Sequence, residues 1–169
     1  MEIRALAPSD AAVFQRLRLQ GLQESPTAFG SSYAEEVERP LDEVARRLTT
    51  EEEDESFVLG AFAADGTLLG VTGLHRPARV KTGHKAHVWG MYVAPAFRGR
   101  GIGRALLEAV IARAKALPGL RQLNLTVTAS NAAARALYRS CGFETFGLER
   151  AALWVDDQYY DTEYMTLQL

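Results

Sequence analysis

The chain has one cysteine, Cys141, among its 169 residues, so no internal disulfide braces it. A lone cysteine fits a reducing compartment, and the cytoplasm is the expected location. No apolar run approaches the ~20 residues of a membrane-spanning helix. The opening Met1-Glu2-Ile3-Arg4 lacks the apolar stretch of a secretory leader. Neither sign of charge dominates: 19 Lys and Arg against 21 Asp and Glu leave a formal net charge of -2 at pH 7. That balance speaks against nucleic acid as a partner, because phosphate backbones select strongly basic faces. His, Cys, Asp and Glu nowhere fall at metal-ligand spacing, so no metal is expected. No glycine is followed by Lys-Ser or Lys-Thr, which rules out a P-loop. The dinucleotide fingerprint G-x-G-x-x-G fails as well. Its third glycine falls on Arg104 when read from Gly99, and on Leu106 when read from Gly101. Repeats, linkers and low-complexity tracts are also missing, and 1–169 reads as a single domain.

The informative stretch is Val93-Ala94-Pro95-Ala96-Phe97-Arg98-Gly99-Arg100-Gly101-Ile102-Gly103-Arg104-Ala105-Leu106-Leu107. A strand-like run is stopped by Pro95, glycines alternate with arginines, and an apolar-periodic helix begins. Glycines let main chain approach a ligand closely, and helix-start N–H groups attract anions. The guanidiniums of Arg98, Arg100 and Arg104 add to that preference for phosphate. A second stretch, Asn131-Ala132-Ala133-Ala134-Arg135-Ala136-Leu137-Tyr138-Arg139-Ser140-Cys141-Gly142-Phe143, opens on a helix cap and closes on a terminating glycine.

Read as V-x-P-x-x-R-x-x-G-x-G, the first stretch resembles the pyrophosphate-binding motif of the GNAT N-acetyltransferases. The second resembles the later half of that family's core, N-x-x-A-x-x-L-Y-x-x-x-G-F. The two occur in the family's order and cover the second half of the chain. The first half matches only in its pattern of elements. The resemblance implies acetyl-CoA as co-substrate and direct transfer of acetyl to an amine, without an acetyl-enzyme. The cofactor-binding residues it implies are Met91, Tyr92, Val93, Arg98, Gly99, Arg100, Gly101, Ile102, Gly103, Arg104, Asn131 and Ala133. Met91 and Val93 would act through main chain, pairing with the pantetheine arm as though it were an added strand. A bulge near Gly90 would point an amide at the thioester oxygen.

Periodicity and turn signals predict a first strand at 2–7 and a helix capped by Ser9 or Asp10 with Val13, Leu17 and Leu22 on its apolar face. A helix from Tyr33 follows, then a helical turn opened by Pro40 and carrying Leu41, Val44 and Leu48. Residues 51–55 are all acidic and read as a solvated loop. Strands at 57–64 and 67–76 join at Asp65-Gly66, and another runs 86–93. The helix 101–117 places Leu106, Val110 and Ala114 on one stripe. A strand at 120–128 precedes the Asn131 helix, and a closing hairpin spans 143–155 and 159–167. The fold class is α/β, a mixed sheet of six to seven strands flanked by about four helices. In the family it resembles, the cofactor enters a splay between the strands at 86–93 and 120–128.

Amine acetylation requires an amine that has lost its proton, a stabilised oxyanion and a protonated thiolate. An alkylammonium of pKa near 10.4 is neutral in roughly one molecule in a few thousand at pH 7, so a base or desolvation must help. Tyr138, two turns into its helix, is the candidate general acid. His87, whose unperturbed pKa is about 6.5, is the candidate base, with His75 and Glu36 as weaker ones. Strand period puts His87, Trp89, Met91 and Val93 on one face until a bulge intervenes. Cys141 reads as a packing residue. Phe29, Tyr33, Glu35, Glu36 and Trp89 are the candidate lining of the acceptor pocket, and its carboxylates suit a cationic amine. Small amine, amino acid, antibiotic and protein N-terminus all stay open. A catalytically silent acyl-CoA-binding or sensing module is the alternative function. The last hairpin is also able to serve a homodimer.

Overall fold

The computed structural model describes residues 1–48 and 55–169. The acidic run at 51–55 thus lies outside the described residues except for Glu55. Seven strands form one sheet in the order β1-β2-β3-β4-β5-β7-β6. They are β1 (Glu2–Ala5), β2 (Phe57–Phe62), β3 (Leu68–His75), β4 (Lys85–Val93), β5 (Gln122–Thr128), β6 (Glu144–Val155) and β7 (Gln158–Gln168). Every neighbouring pair is antiparallel except β4 and β5, which run parallel. Five α-helices accompany it: α1 (Ala11–Glu24), α2 (Tyr33–Val37), α3 (Leu41–Arg47), α4 (Ile102–Ala116) and α5 (Ala132–Ser140). The count exceeds the expected four because the α1–β2 connection holds two short helices.

Strand alternation splits the core into two layers. On one face Leu106, Val110 and Ala114 of α4, all fully buried, meet Leu123 and Leu125 of β5, Leu74 of β3 and Phe143. On the other, Phe14 and Leu17 of α1, Val44 of α3 and Leu48 just beyond it cover Val58, Val71 and Tyr92. The α1 stripe is Phe14, Leu17, Gly21 and Leu22, while Val13 is exposed. Val13 and Leu17 are four apart, but the covered stripe is centred one position later, on Phe14. Asp10 does not cap α1 with its side chain. Its carboxylate accepts from Ala7 N–H at 2.8 Å and from Arg4 at 2.7 and 2.9 Å, closing the preceding turn instead. Ser32 does cap α2, in a reciprocal box with Glu35. The closing hairpin turns at Asp156 and Asp157, both at positive φ (48° and 59°), as a tight turn matched to strand twist demands.

The indole of Trp89 occupies the space a side chain at Gly73 would need: a Cβ there would lie 2.3 Å from Trp89 Cε2. Gly73→Ala is therefore expected to cost about 1–3 kcal/mol in denaturant unfolding. On a Trp154→Phe background it should also shift the emission of Trp89. Unchanged emission would mean that the indole is not seated on Gly73.

Candidate active site

The site originates where two strands part. β4 pairs with β5 only through Lys85–Gln122, Ala86–Leu123 and His87–Asn124. Beyond that point β4 stays with β3 as far as Val93, and β5 stays with β7 as far as Thr128. Each strand keeps its outer partner, so the two diverge and the inner edge of β4 from Val88 onward has no strand beside it. Gly90 sits at the point of divergence with φ +66°. There Val71 faces Tyr92 and Gly73 faces Trp89, so Gly90 and Met91 together oppose the single residue Thr72. That is the bulge expected from the glycine, and it interrupts the regular ladder of β4 with β3.

The bulge also changes faces. His87 and Trp89 lie on the α1/α3 side, whereas Met91 and Val93 pack against the α4 side. The four do not share a face as unbroken period implied, because the extra residue shifts alternation by one.

A cleft of about 390 Å³ opens along the splay. Its walls include Met91, Tyr92 and Val93 of β4, then Arg98, Gly99, Gly101, Ile102 and Gly103 at the start of α4. Asn131, Ala133, Ala134 and Leu137 of α5 close it. Gly99 and Gly101 have φ of +74° and +77°, and a Cβ on either would meet nothing within 4 Å. Conformation rather than space makes them glycine, since other L-residues strain there. Ala105 N–H donates to Gly101 O at 3.0 Å, so the helix N–H groups ahead of it have no intrahelical acceptor. Gly103 is needed for its size instead. A Cβ on it would stand 3.3 Å from Leu137, so the missing side chain lets α4 approach α5. Asn131 caps α5 by accepting from Ala134 N–H at 3.1 Å. An unpaired strand edge leading to a positive-φ loop and a helix start suits a pantetheine arm followed by a diphosphate.

The arginines contribute less than their number suggests. Arg98 lines the cleft, but its Nε donates to Val93 O at 2.9 Å and its guanidinium stands 3.6 Å from Glu24. Arg100 lies over Phe97, 5.7 Å from the ring centroid. Arg104 reaches α5, donating to Ser140 Oγ at 2.7 Å. Neither Arg100 nor Arg104 lines the cleft. Tyr92 presents backbone to the cleft, while its ring packs against Gly21 and its hydroxyl bonds Glu24. Burial, and then that carboxylate, raise its pKa.

Tyr138 is not among the residues lining the open cleft; its ring is 7% exposed and meets Phe143 edge-on, centroids 6.1 Å apart. Burial pushes its pKa up to about 12. The hydroxyl has no hydrogen-bond partner among the described residues. Cys141 lies half-buried beside Arg104 and Ser140.

His87 faces a separate hollow of about 450 Å³ with Trp89, Phe57, Leu74, Arg47 and His75, its cross-strand partner. Burial, reinforced by His75, holds its pKa below the ordinary histidine value. Phe29 stacks towards Tyr92 at 6.2 Å and walls a crevice with Trp89 and Gly90. Tyr33 lies on α2, outside these pockets. The acidic residues of α2 do not present free carboxylates. Glu35 is consumed by the Ser32 cap. Glu36 is 4% exposed and held by Arg39 at 3.0 Å and Arg47 at 3.4 Å. Burial raises its pKa, but those bonds and charges outweigh burial and keep it low, which removes Glu36 as a base. Two residues carry no motif that marks them in the sequence. Thr128 donates to Thr27 O, tying β5 to the α1–α2 loop. Arg18, a cation four residues after Phe14 on the buried stripe of α1, lines the crevice beside Gly90. Its place on that stripe was the available signal.

Comparison with known proteins agrees with this geometry. The sequence profile described as Acetyltransferase (GNAT) family matches residues 20–143. The chain is 33% identical over 146 residues to the aminoglycoside N(6')-acetyltransferase type 1 of Stenotrophomonas maltophilia, spanning 84% of this chain and 85% of that one. An acetyltransferase of the GNAT family from Streptococcus pneumoniae superposes with a TM-score of 0.87 at 25% identity over 99% of both chains. A GNAT superfamily phosphinothricin acetyltransferase from Sinorhizobium meliloti, solved with acetyl-CoA, shares the fold with a TM-score of 0.86 at 23% identity, over 99% of this chain and 88% of that one. With a splayed β4–β5 pair, a bulge at Gly90 and a glycine loop at the start of α4, the chain belongs to the GNAT family of acetyltransferases and is an N-acetyltransferase that uses acetyl-CoA.

Proposed function

We propose that the acetyl group passes in one step from the thioester to an acceptor amine seated on the α1/α3 side of the sheet. The observation that carries this reading is the Gly90–Met91 bulge on a strand whose inner edge is free. Acetyl-CoA supplies the activated acyl group and a thiolate leaving group. The main chain of Met91 to Val93 aligns the pantetheine arm, and the Gly99–Gly103 loop with the α4 start holds the diphosphate. An amide of the Gly90–Met91 pair donates to the carbonyl oxygen as it gains charge. A fixed donor there contributes a few kcal/mol, because it needs no reorientation during reaction.

Tyr138 is the proposed acid; it follows Leu137, which lines the cleft, and is itself nearly buried. A phenol near 12 keeps its proton at neutral pH, and alkyl thiols titrate at about 8.5. Outright transfer is therefore uphill, and a hydrogen bond to the departing sulfur is the stabilising contribution. His87 is the proposed base. With its pKa held below 6.5 it is neutral at pH 7 and able to accept a proton. A silent acyl-CoA-binding module has no use for a bulge opposite Thr72, which favours the enzyme. The last hairpin is retained as the proposed face of a homodimer.

Pooled amines and acetyl-CoA should release free CoA thiol in the presence of the purified protein; none released with any amine sinks the transferase reading. Tyr138→Phe should lower turnover about ten- to a thousandfold while calorimetry finds acetyl-CoA affinity unchanged. Gly101→Val should do the reverse, weakening acetyl-CoA binding about tenfold through strain at positive φ. For pH, the neutral form of His87 is the active one, so kcat/KM should fall as pH drops through a midpoint below 6.5. His87→Gln should abolish that acidic limb, and a limb that persists assigns the base elsewhere.

A further inference from the structure

The charge beside the bulge is opposite in sign to the one expected from the glutamates of α2. Among the described residues, Glu36 and Glu43 stand against three guanidiniums, those of Arg18, Arg39 and Arg47. Arg39 takes the near contacts to both carboxylates, 3.0 Å to Glu36 and 3.3 Å to Glu43. Arg47 approaches Glu36 at 3.4 Å. Arg18 is left with the long contact, 3.9 Å, and with a 3.3 Å hydrogen bond to Ser31 Oγ.

Arg18 is nonetheless the more enclosed cation, its side chain 12% exposed. Its Nε is buried without a hydrogen-bond acceptor among the described residues. Burial pulls its pKa down, against the pull of Glu36. A guanidinium has five donors in a rigid fork and accepts nothing, so an enclosed one whose carboxylate partner stands at 3.9 Å is only partly compensated for its lost water. The guanidinium lies 5.9 Å from the Trp89 ring centroid, and its Nη1 is 4.0 Å from where a Gly90 Cβ would be. The crevice it lines with Phe29, Trp89 and Gly90 is about 10 Å³, room for a carboxylate oxygen and none for a sugar ring. That crevice shares Val58 and Trp89 with the 450 Å³ hollow that holds His87.

We infer that Arg18 receives a carboxylate of the acceptor, and that the acceptor is an amino-acid-like amine whose acid group lies close to its reacting nitrogen. This rests on the transferase reading above and narrows its substrate. The closeness follows from position: the guanidinium stands beside Gly90, where the proposed oxyanion amide is, so the anion it binds is near the bond being formed. The remainder of the acceptor occupies the wider hollow beside His87, Trp89 and Arg47. A polycation such as an aminoglycoside would bring further positive charge to a cluster where three guanidiniums face two carboxylates among the described residues. Ser31, on the loop ahead of α2, steadies the fork. No covalent step is added: the nitrogen attacks the thioester carbon, the C–S bond breaks, and the proton lost by the amine balances the one gained by sulfur.

The test uses the full chain with acetyl-CoA and reads thiol release. The probes are the L-amino acids and 4-aminobutyrate, each paired with its carboxamide, together with kanamycin. The wild type should prefer at least one acid over its carboxamide in kcat/KM by about 10- to 100-fold, the scale of a charge-assisted pair. Arg18→Gln should collapse that acid-to-amide ratio, chiefly through KM for the acid, with Arg18→Lys in between. Comparing the ratio between wild type and variant cancels the lower amine pKa of carboxamides. Unchanged acetyl-CoA affinity by calorimetry shows that Arg18→Gln is folded; should it not fold, Ser31→Ala should lower the same ratio more modestly. Turnover of acids and amides alike, preference for kanamycin, or an unaltered ratio in the variants overturns the inference and leaves the transferase reading intact. Absence of thiol release with every amine overturns both.

Discussion

The structure depends on the divergence of β4 from β5. Backbone groups of a strand interior ordinarily find partners on both sides. In β4 those on the inner edge beyond His87 have no strand to meet, although the strand continues to Val93. The opening is held from outside: seven register pairs keep β5 on β7, and β3 holds β4 on its other flank. Neither strand can swing inward without breaking the ladder behind it. A linear ligand that offers amide groups at strand spacing fills that edge, and a pantetheine arm has them.

Around this opening the molecule separates its roles by face and by atom type. In the proposed reaction main chain does the anchoring, through the free edge of β4, the Gly90 bulge and the start of α4. Side chains near the anchor serve mainly to hold elements together: Arg104 ties α4 to α5, and Arg98 ties the loop to Val93 and Glu24. On the opposite face lie the side chains of His87, Trp89 and Arg18, the last two lining the crevice beside Gly90. The division has a physical basis. A diphosphate and a pantetheine are the same in every turnover, so fixed backbone dipoles serve them. In the proposed reaction the acceptor is recognised by side chains on the α1/α3 side.

Glu36 shows how burial reverses a plain reading. By sequence it is an acidic residue on a short helix, suited to a cation. In the fold it is the shared anion of a guanidinium cluster, and its charge is consumed internally. Arg18 shows the converse. A cation on the apolar stripe of α1 looks like an exception to amphipathic pattern, yet it is the enclosed charge nearest the bulge. Trp89 and Gly73 form a matched pair across β3 and β4, with the large ring on one strand requiring the missing side chain on the other.

Local pattern was sufficient for the elements and for the glycine loop that lines the cleft. Turn residues at 65–66 and 156–157, the apolar stripe of α4, the Asn131 cap and the alternating glycines each act within a few residues, so the amino-acid order carries them. The Gly90 bulge was legible for the same reason. Its consequence was not, because which face His87 and Met91 occupy depends on how many residues the neighbouring strand sets opposite the bulge. Charge placement also lay beyond the sequence. Whether Glu36 is free or caged, whether Arg104 faces phosphate or Ser140, and whether Arg18 meets solvent or the crevice are decided by residues tens of positions away. Electrostatic and packing energies fall off within a few ångströms, so only the tertiary fold, which sets those distances, could assign the partners.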